Sequence, residues 1–143
     1  MKIVILGAGQ VGSTVASALV HEENDITIVD KDEGRLKQLQ DQLDIRSVLG
    51  YASHPKVMER AGIEDADLVI ALTSSDEVNM VACQIAYTLY NVPTRIARVR
   101  AAAYTDRDEL FHREHSPVDV LISPELLLTQ YIASLIEYPG TLQ

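Results

Sequence analysis

Tryptophan is absent, and phenylalanine and cysteine each occur once in 143 residues. A core without large aromatics has to be built from Ile, Leu, Val and Ala. The single cysteine, Cys83, excludes an internal disulfide and fits a reducing compartment. It falls on the apolar side of a helical pattern, where a thiol is a core residue. No apolar run approaches the ~18 residues that span a bilayer. Met1-Lys2 leads straight into a strand pattern, so no secretory leader is expected. Basic residues are scarce, with 12 Lys and Arg against 21 Asp and Glu and a net charge of −9. That balance argues against non-specific nucleic-acid binding, which needs clustered cations. It argues equally against docking on an anionic lipid leaflet. No internal repeat, low-complexity segment or charge block interrupts the chain, whose length suits one domain with a sizeable core.

What is present is most informative between residues 3 and 30. Ile3-Val4-Ile5-Leu6 reads as a strand and Gly7-Ala8-Gly9-Gln10-Val11-Gly12 as a G-x-G-x-x-G turn. A helical stretch comes next, then a second strand ending in Val29-Asp30. Gly7 permits a tight turn, Gly9 lets backbone approach a pyrophosphate, and Gly12 lets the helix pack on the strand. The helix N-terminus offers N–H groups and a positive dipole end to phosphates. Ala8, Gln10 and Val11 offer backbone donors whatever their side chains. Asp30 stands where a carboxylate accepts ribose hydroxyls. It would repel a 2′-phosphate, which favours NAD or an adenosine nucleotide over NADP. Lys31 is next to it, facing either the ligand or solvent.

The rest alternates between strand and helix patterns. Asp32 caps a helix carrying Leu36, Leu39 and Leu43. Residues 46–49 form a short third strand, Ser53 caps a helix with Pro55 in its first turn, and Gly62 closes it. Residues 67–72 form a strand apolar enough to be buried on both faces. Ser74 or Ser75 caps a long helix with Val78, Ala82, Ile85 and Leu89 as its apolar face. Residues 95–99 are a fifth strand, 104–114 a weaker helix and 118–122 a sixth strand. Six strands with intervening helices predict a Rossmann-like, doubly wound parallel α/β sheet of order 3-2-1-4-5-6, whose switch point lies over the glycine turn. Ser123-Pro124-Glu125 starts a last helix, apolar on more than one face through Leu126, Leu127, Leu128, Tyr131, Ile132, Leu135 and Ile136. It is expected to act as a crossover or dimerisation helix. The expected division is a nucleotide-binding domain over residues 1–123, with the crossover helix and the start of a linker over 124–143.

Several of these segments resemble the regulatory RCK domains, also called KTN domains, of potassium channels and transporters. The resemblance is carried by residues 7–12, Val29-Asp30-Lys31-Asp32, residues 61–67 and Ala71-Leu72-Thr73-Ser74-Ser75-Asp76-Glu77-Val78-Asn79-Met80. Ile136-Glu137-Tyr138-Pro139-Gly140 fits it too, so it covers essentially the whole chain. It implies a non-catalytic domain that binds NAD(H), with ATP or ADP as the alternative. It also implies a homo-oligomer, dimer or ring, coupled to a membrane potassium transporter subunit. Such a protein is cytoplasmic and peripheral to the inner membrane through its partner, without nucleic acid and without direct membrane insertion. The competing reading is a fragment of an NAD-dependent oxidoreductase. That would need a catalytic acid–base group and a substrate domain, which the sequence pattern does not offer.

The resemblance also places further residues. It puts the adenine contact at Tyr51 and Ala52, although relatives often have Asp or Asn at position 51. It puts a basic residue at Arg100. Arg98 shares its strand face by period-2 alternation, and either arginine can pair a phosphate or remain a solvated charge. Thr73 and Ser74 end the fourth strand across the switch point, within reach of phosphate or the second ribose. Gln10 stands where some relatives place an arginine for a terminal phosphate. Glu125 matches an acid used by some relatives at a dimer interface near a divalent cation, and also suits a helix N-terminus. His112 and His115 lack further ligands at metal spacing and are read as surface residues.

Overall fold

The computed structural model describes residues 1–21, 23–111, 118 and 120–122. The elements in chain order are β1 (Lys2–Leu6), α1 (Gln10–Leu19), β2 (Asp25–Asp30), α2 (Glu33–Gln42), β3 (Arg46–Leu49) and α3 (Pro55–Arg60). A 3₁₀ turn (Ile63–Asp65) leads to β4 (Leu68–Ala71), α4 (Asp76–Tyr90), β5 (Thr94–Arg98) and α5 (Ala102–Thr105). A second 3₁₀ turn (Asp108–Phe111) precedes β6 (Val120–Ile122). The strands form one parallel sheet of order β3-β2-β1-β4-β5-β6, as the alternation of patterns predicts.

Strand alternation divides the core into two layers. Ile3, Ile5, Ile26, Ile28, Leu68, Ile70 and Ile96 face one side, packed with Val11, Val15 and Leu19 of α1 and Leu36 and Leu39 of α2. Val4, Leu6, Val29, Val69, Ala71 and Ala97 face the other, against Val57 and Met58 of α3 and Ala82, Cys83 and Ala86 of α4. Every β1 and β4 residue except Lys2 is buried, because helices cover both faces. The core is aliphatic: its largest fully buried side chains are Ile, Leu, Met and Val.

Local details differ from the sequence reading in four places. The N-cap of α3 is His54, with Pro55 at the first helical position, so Ser53 lies outside the cap. Ser75 caps α4 by accepting from the Val78 N–H at 3.1 Å, which leaves Ser74 unused as a cap. The buried face of α4 runs through Asn79, Ala82, Cys83 and Ala86, while Leu89 is exposed. A polar amide thus occupies the inner face that the apolar pattern assigns to hydrophobes. The stretch from Tyr104 does not continue as one helix. Arg107 and Leu110 N–H groups donate three residues back, to Tyr104 and Arg107, and Thr and Asp in this segment favour such tightening over α-helix. The crossover helix, the 123/124 boundary, Glu125, His112 and His115 lie outside the described residues.

Candidate functional site

The carboxyl ends of β1, β2, β4 and β5 converge on one cavity of about 390 Å³, a size suited to a small organic ligand. Gly7, Gly9, Gln10, Val11, Asp30, Lys31, Tyr51, Ala52, Thr73, Ser74, Arg98 and Arg100 all line it. Of the predicted site residues, only Ala8 and Gly12 stand behind the wall. Leu72 and Val78 supply apolar wall, and Arg35 reaches the cavity from α2.

The glycine turn is shaped by backbone contacts. Gly7 has φ +111°, and a Cβ there would lie 2.8 Å from the Leu72 carbonyl oxygen. A Cβ at Gly12 would lie 1.8 Å from the Gly7 carbonyl oxygen, so Gly12 serves helix–strand packing and does not reach the cavity. Gly9 differs: the nearest heavy atom to a Cβ there is Arg35 Nη1, 3.9 Å away. The protein itself leaves room for a side chain at Gly9, and that room belongs to the cavity. Ala8 is a correction to its assignment as a ligand donor. Its N–H donates to Asp30 Oδ2 at 2.7 Å and is therefore used inside the protein.

Asp30 is 8% exposed and lines the cavity, and both its oxygens already accept backbone hydrogen bonds. Oδ2 takes the Ala8 N–H and Oδ1 the Asp32 N–H at 2.8 Å. The carboxylate thus ties the glycine turn to the start of α2, and its oxygens keep further acceptor capacity for a ligand in the cavity. Asp32 accepts from the Arg35 N–H as the α2 cap, and it does not line the cavity.

Across the switch point, Asn79 of α4 is fully buried. Its Oδ1 accepts from the Thr73 N–H at 2.9 Å and from the Thr73 hydroxyl at 2.7 Å. Its Nδ2 donates to the Thr73 carbonyl at 3.1 Å and the Arg98 carbonyl at 2.8 Å. One side chain therefore joins the ends of β4 and β5 that form the far wall. Its signal in the sequence is an asparagine on the inward side of an otherwise apolar helical stripe. Arg98 is half-buried there, and Arg100 is exposed with its Nη2 3.4 Å from the Ser74 carbonyl. Tyr51 is 60% exposed at the opposite lip, its ring 5.1 Å from that of His54.

The helix termini facing this region are not equivalent. α2 has Asp32 as cap and Glu33 in its first turn. α4 has Ser75, Asp76 and Glu77. Asp76 accepts from the Arg100 and Ala101 N–H groups. Glu77 accepts from the Tyr104 hydroxyl at 2.8 Å, and this hydrogen bond pushes the Tyr104 phenol pKa upward. α1 has neither a side-chain cap nor an acid in its first turn, and it opens on the cavity. Among the described residues, Lys31, Arg35, Arg98 and Arg100 line the cavity against one carboxylate, Asp30, in a chain whose overall balance is strongly acidic. An uncapped helix start with several cations lining the same cavity is an arrangement suited to an anion. Among the described residues no group of three or more His, Cys, Asp or Glu is placed to hold a metal ion.

The family model of the TrkA-N domain matches residues 3–124. The chain belongs to the TrkA-N domain family. It is 60% identical over 143 residues to the Trk system potassium uptake protein TrkA of Halomonas elongata, covering all of this chain and 31% of that protein. This TrkA-N domain therefore spans about a third of the length of that curated relative. Among solved structures, it resembles the Shewanella denitrificans Kef C-terminal domain in its AMP-bound form, with TM-score 0.72 and 17% identity over 99% of this chain and 84% of that one. It also resembles the GsuK channel bound to NAD, with TM-score 0.69 and 20% identity over 92% of this chain and 23% of that one. At these identities the two structural likenesses bear on the fold of the TrkA-N domain.

Proposed function

We propose that this TrkA-N domain is a non-catalytic sensor that binds NAD(H), with ATP or ADP as the alternative, inside a cytoplasmic regulatory subunit of a Trk-type potassium transporter. The observation that carries the reading is the pairing of Asp30 with the uncapped start of α1. A ribose hydroxyl can reach the carboxylate while the attached pyrophosphate meets Gly9, Gln10 and Val11. In this reading Tyr51 and Ala52 meet the adenine, and Arg98 and Arg100 meet a second ribose–phosphate or a terminal phosphate; that all four line the cavity supports it. The identity to TrkA supports the transporter context, and the AMP and NAD ligands of the two structural relatives support the ligand class.

Regulation then rests on differential affinity: nucleotide binding shifts the domain between arrangements only as far as it prefers one of them. The bistable element in this reading is a homo-oligomeric contact, dimer or ring. The membrane partner holds the assembly at the inner membrane surface. Calorimetric titration of the nucleotide-free domain with NAD, NADH, ATP and ADP in parallel tests the reading. Tight binding of dinucleotides alone supports redox sensing, and comparable ATP or ADP binding supports energy-charge sensing. Absence of binding by all four refutes the nucleotide-sensor reading.

A further inference from the structure

We infer that Arg35, a residue outside the glycine motif, is the side-chain partner of the phosphate next to the adenosine ribose, and so recognises any adenosine 5′-phosphate whatever group that phosphate carries. This rests on the nucleotide reading above and deepens it. Three observations place the residue. It lines the cavity from α2, alongside Asp30 at the end of β2 and Lys31 just after it. Its Nη1 is the nearest heavy atom to the missing Cβ of Gly9, at 3.9 Å. Gly9 is in turn the N-cap of α1, which lacks both the side-chain cap and the first-turn acid that α2 and α4 possess. The Arg35 guanidinium and the start of α1 therefore approach each other across a gap in the wall of the cavity that Asp30 also lines. An anion in that gap receives donors from both sides.

The remaining contacts of Arg35 are compatible with this role. Its Nε is 3.8 Å from Asp32 Oδ2, and both side chains are more than half exposed. An ion pair of that kind contributes little to stability, and a phosphate can displace it without a large cost. Because Asp32 also caps α2 by accepting the Arg35 N–H at 3.2 Å, backbone and side chain of Arg35 are both oriented by the residue two after Asp30. Arg98 and Arg100 belong to the far wall on β5 and its continuation. The cavity thus separates its cations into a near pair with Lys31 and Arg35 and a far pair with Arg98 and Arg100. The near pair meets the first phosphate and the far pair whatever is attached beyond it.

The test compares Arg35→Gln with the unaltered chain, using adenosine, AMP, ADP, NAD and NADP as probes in calorimetric titration, with adenosine measured by competition against AMP. Loss of a charge-assisted, two-pronged contact is expected to weaken AMP, ADP and NAD by a similar factor, about tenfold or more, and to leave adenosine unchanged within about twofold. Arg35→Lys keeps the charge without the fork, and is expected to recover part of the loss. Equal weakening of adenosine and AMP would assign Arg35 to holding the loop and overturn the inference. A loss confined to NADP would assign it to the 2′-phosphate and overturn it too. Unchanged AMP and NAD affinity in Arg35→Gln, with the unaltered chain binding both, overturns it while leaving the sensor reading intact. Failure of the unaltered chain to bind any probe removes both.

Discussion

Two glycines of one motif have opposite relations to the protein. A Cβ at Gly12 meets the Gly7 carbonyl oxygen, so Gly12→Ala is expected to unfold the domain or displace α1, with loss of the cooperative thermal transition. A Cβ at Gly9 meets nothing closer than Arg35 Nη1. Gly9→Ala is therefore expected to keep the parent melting temperature within a few degrees and to lose most NAD binding, measured by calorimetry. An unfolded Gly9→Ala would show that the turn itself needs this glycine. Asp30 does more than the proposed ribose contact asks of it. From its place in the sequence, its replacement by alanine should weaken nucleotide binding with the fold intact. Because the carboxylate holds the Ala8 and Asp32 N–H groups, Asp30→Ala is instead expected to destabilise the domain by about 1–3 kcal/mol in urea denaturation, besides weakening NAD. The acid was legible from its position at a strand end. Its bracing role was not, because Ala8 lies 22 residues away in the chain.

At the scale of elements, the far wall depends on α4. Replacing Asn79 by leucine leaves the Thr73 N–H and the Thr73 and Arg98 carbonyls without this partner in a buried site. A loss of at least about 3 kcal/mol is expected from the urea midpoint, with weaker ATP or ADP binding if Arg98 meets their phosphates. An unchanged midpoint would show that water replaces the amide. A second tie joins α4 to α3. The Tyr90 hydroxyl donates to Glu59 Oε2 at 2.6 Å, and that hydrogen bond pushes the phenol pKa from 10.0 to about 12. A folded-state pKa above the unfolded value means that the contribution is complete below pH 10 and is lost as pH rises toward 12. The decline of the melting temperature across that window should be shallower in Tyr90→Phe than in the parent. Secondary-structure order, the cap at Asp32 and the left-handed Gly62 were legible in local patterns. The cap at His54, which makes no side-chain hydrogen bond there, and the inward Asn79 were not, the second because its partners lie at the ends of β4 and β5.

For the whole molecule, the informative quantity is the mismatch between a net charge of −9 and a cavity lined by Lys31, Arg35, Arg98 and Arg100. Nucleotide held there should stabilise the folded state by ~2.7 kcal/mol at a hundredfold excess over its Kd. Part of that gain should fade as salt screens the contacts. Thermal unfolding with and without NAD, at low and high salt, reads both effects. A salt-independent shift would locate the binding energy in the apolar walls at Leu72 and Val78 instead of in the cations.

The sequence by itself determined the parallel sheet, its strand order and the position of a cavity at the carboxyl ends of its strands. Periodicity, glycine spacing and helix-start residues act over a few positions and can be read there. It also determined, through motifs beyond the glycine turn, the family to which the chain belongs. Only the tertiary structure decided which N–H groups remain for a ligand, that Ala8 is taken by Asp30, that Asn79 joins β4 to β5, and that Arg35 faces Gly9. Each of these is a meeting of residues distant in the chain. Hydrogen-bond partners and the direction of a guanidinium are set by how the sheet brings loop ends together, and no local pattern encodes that distance.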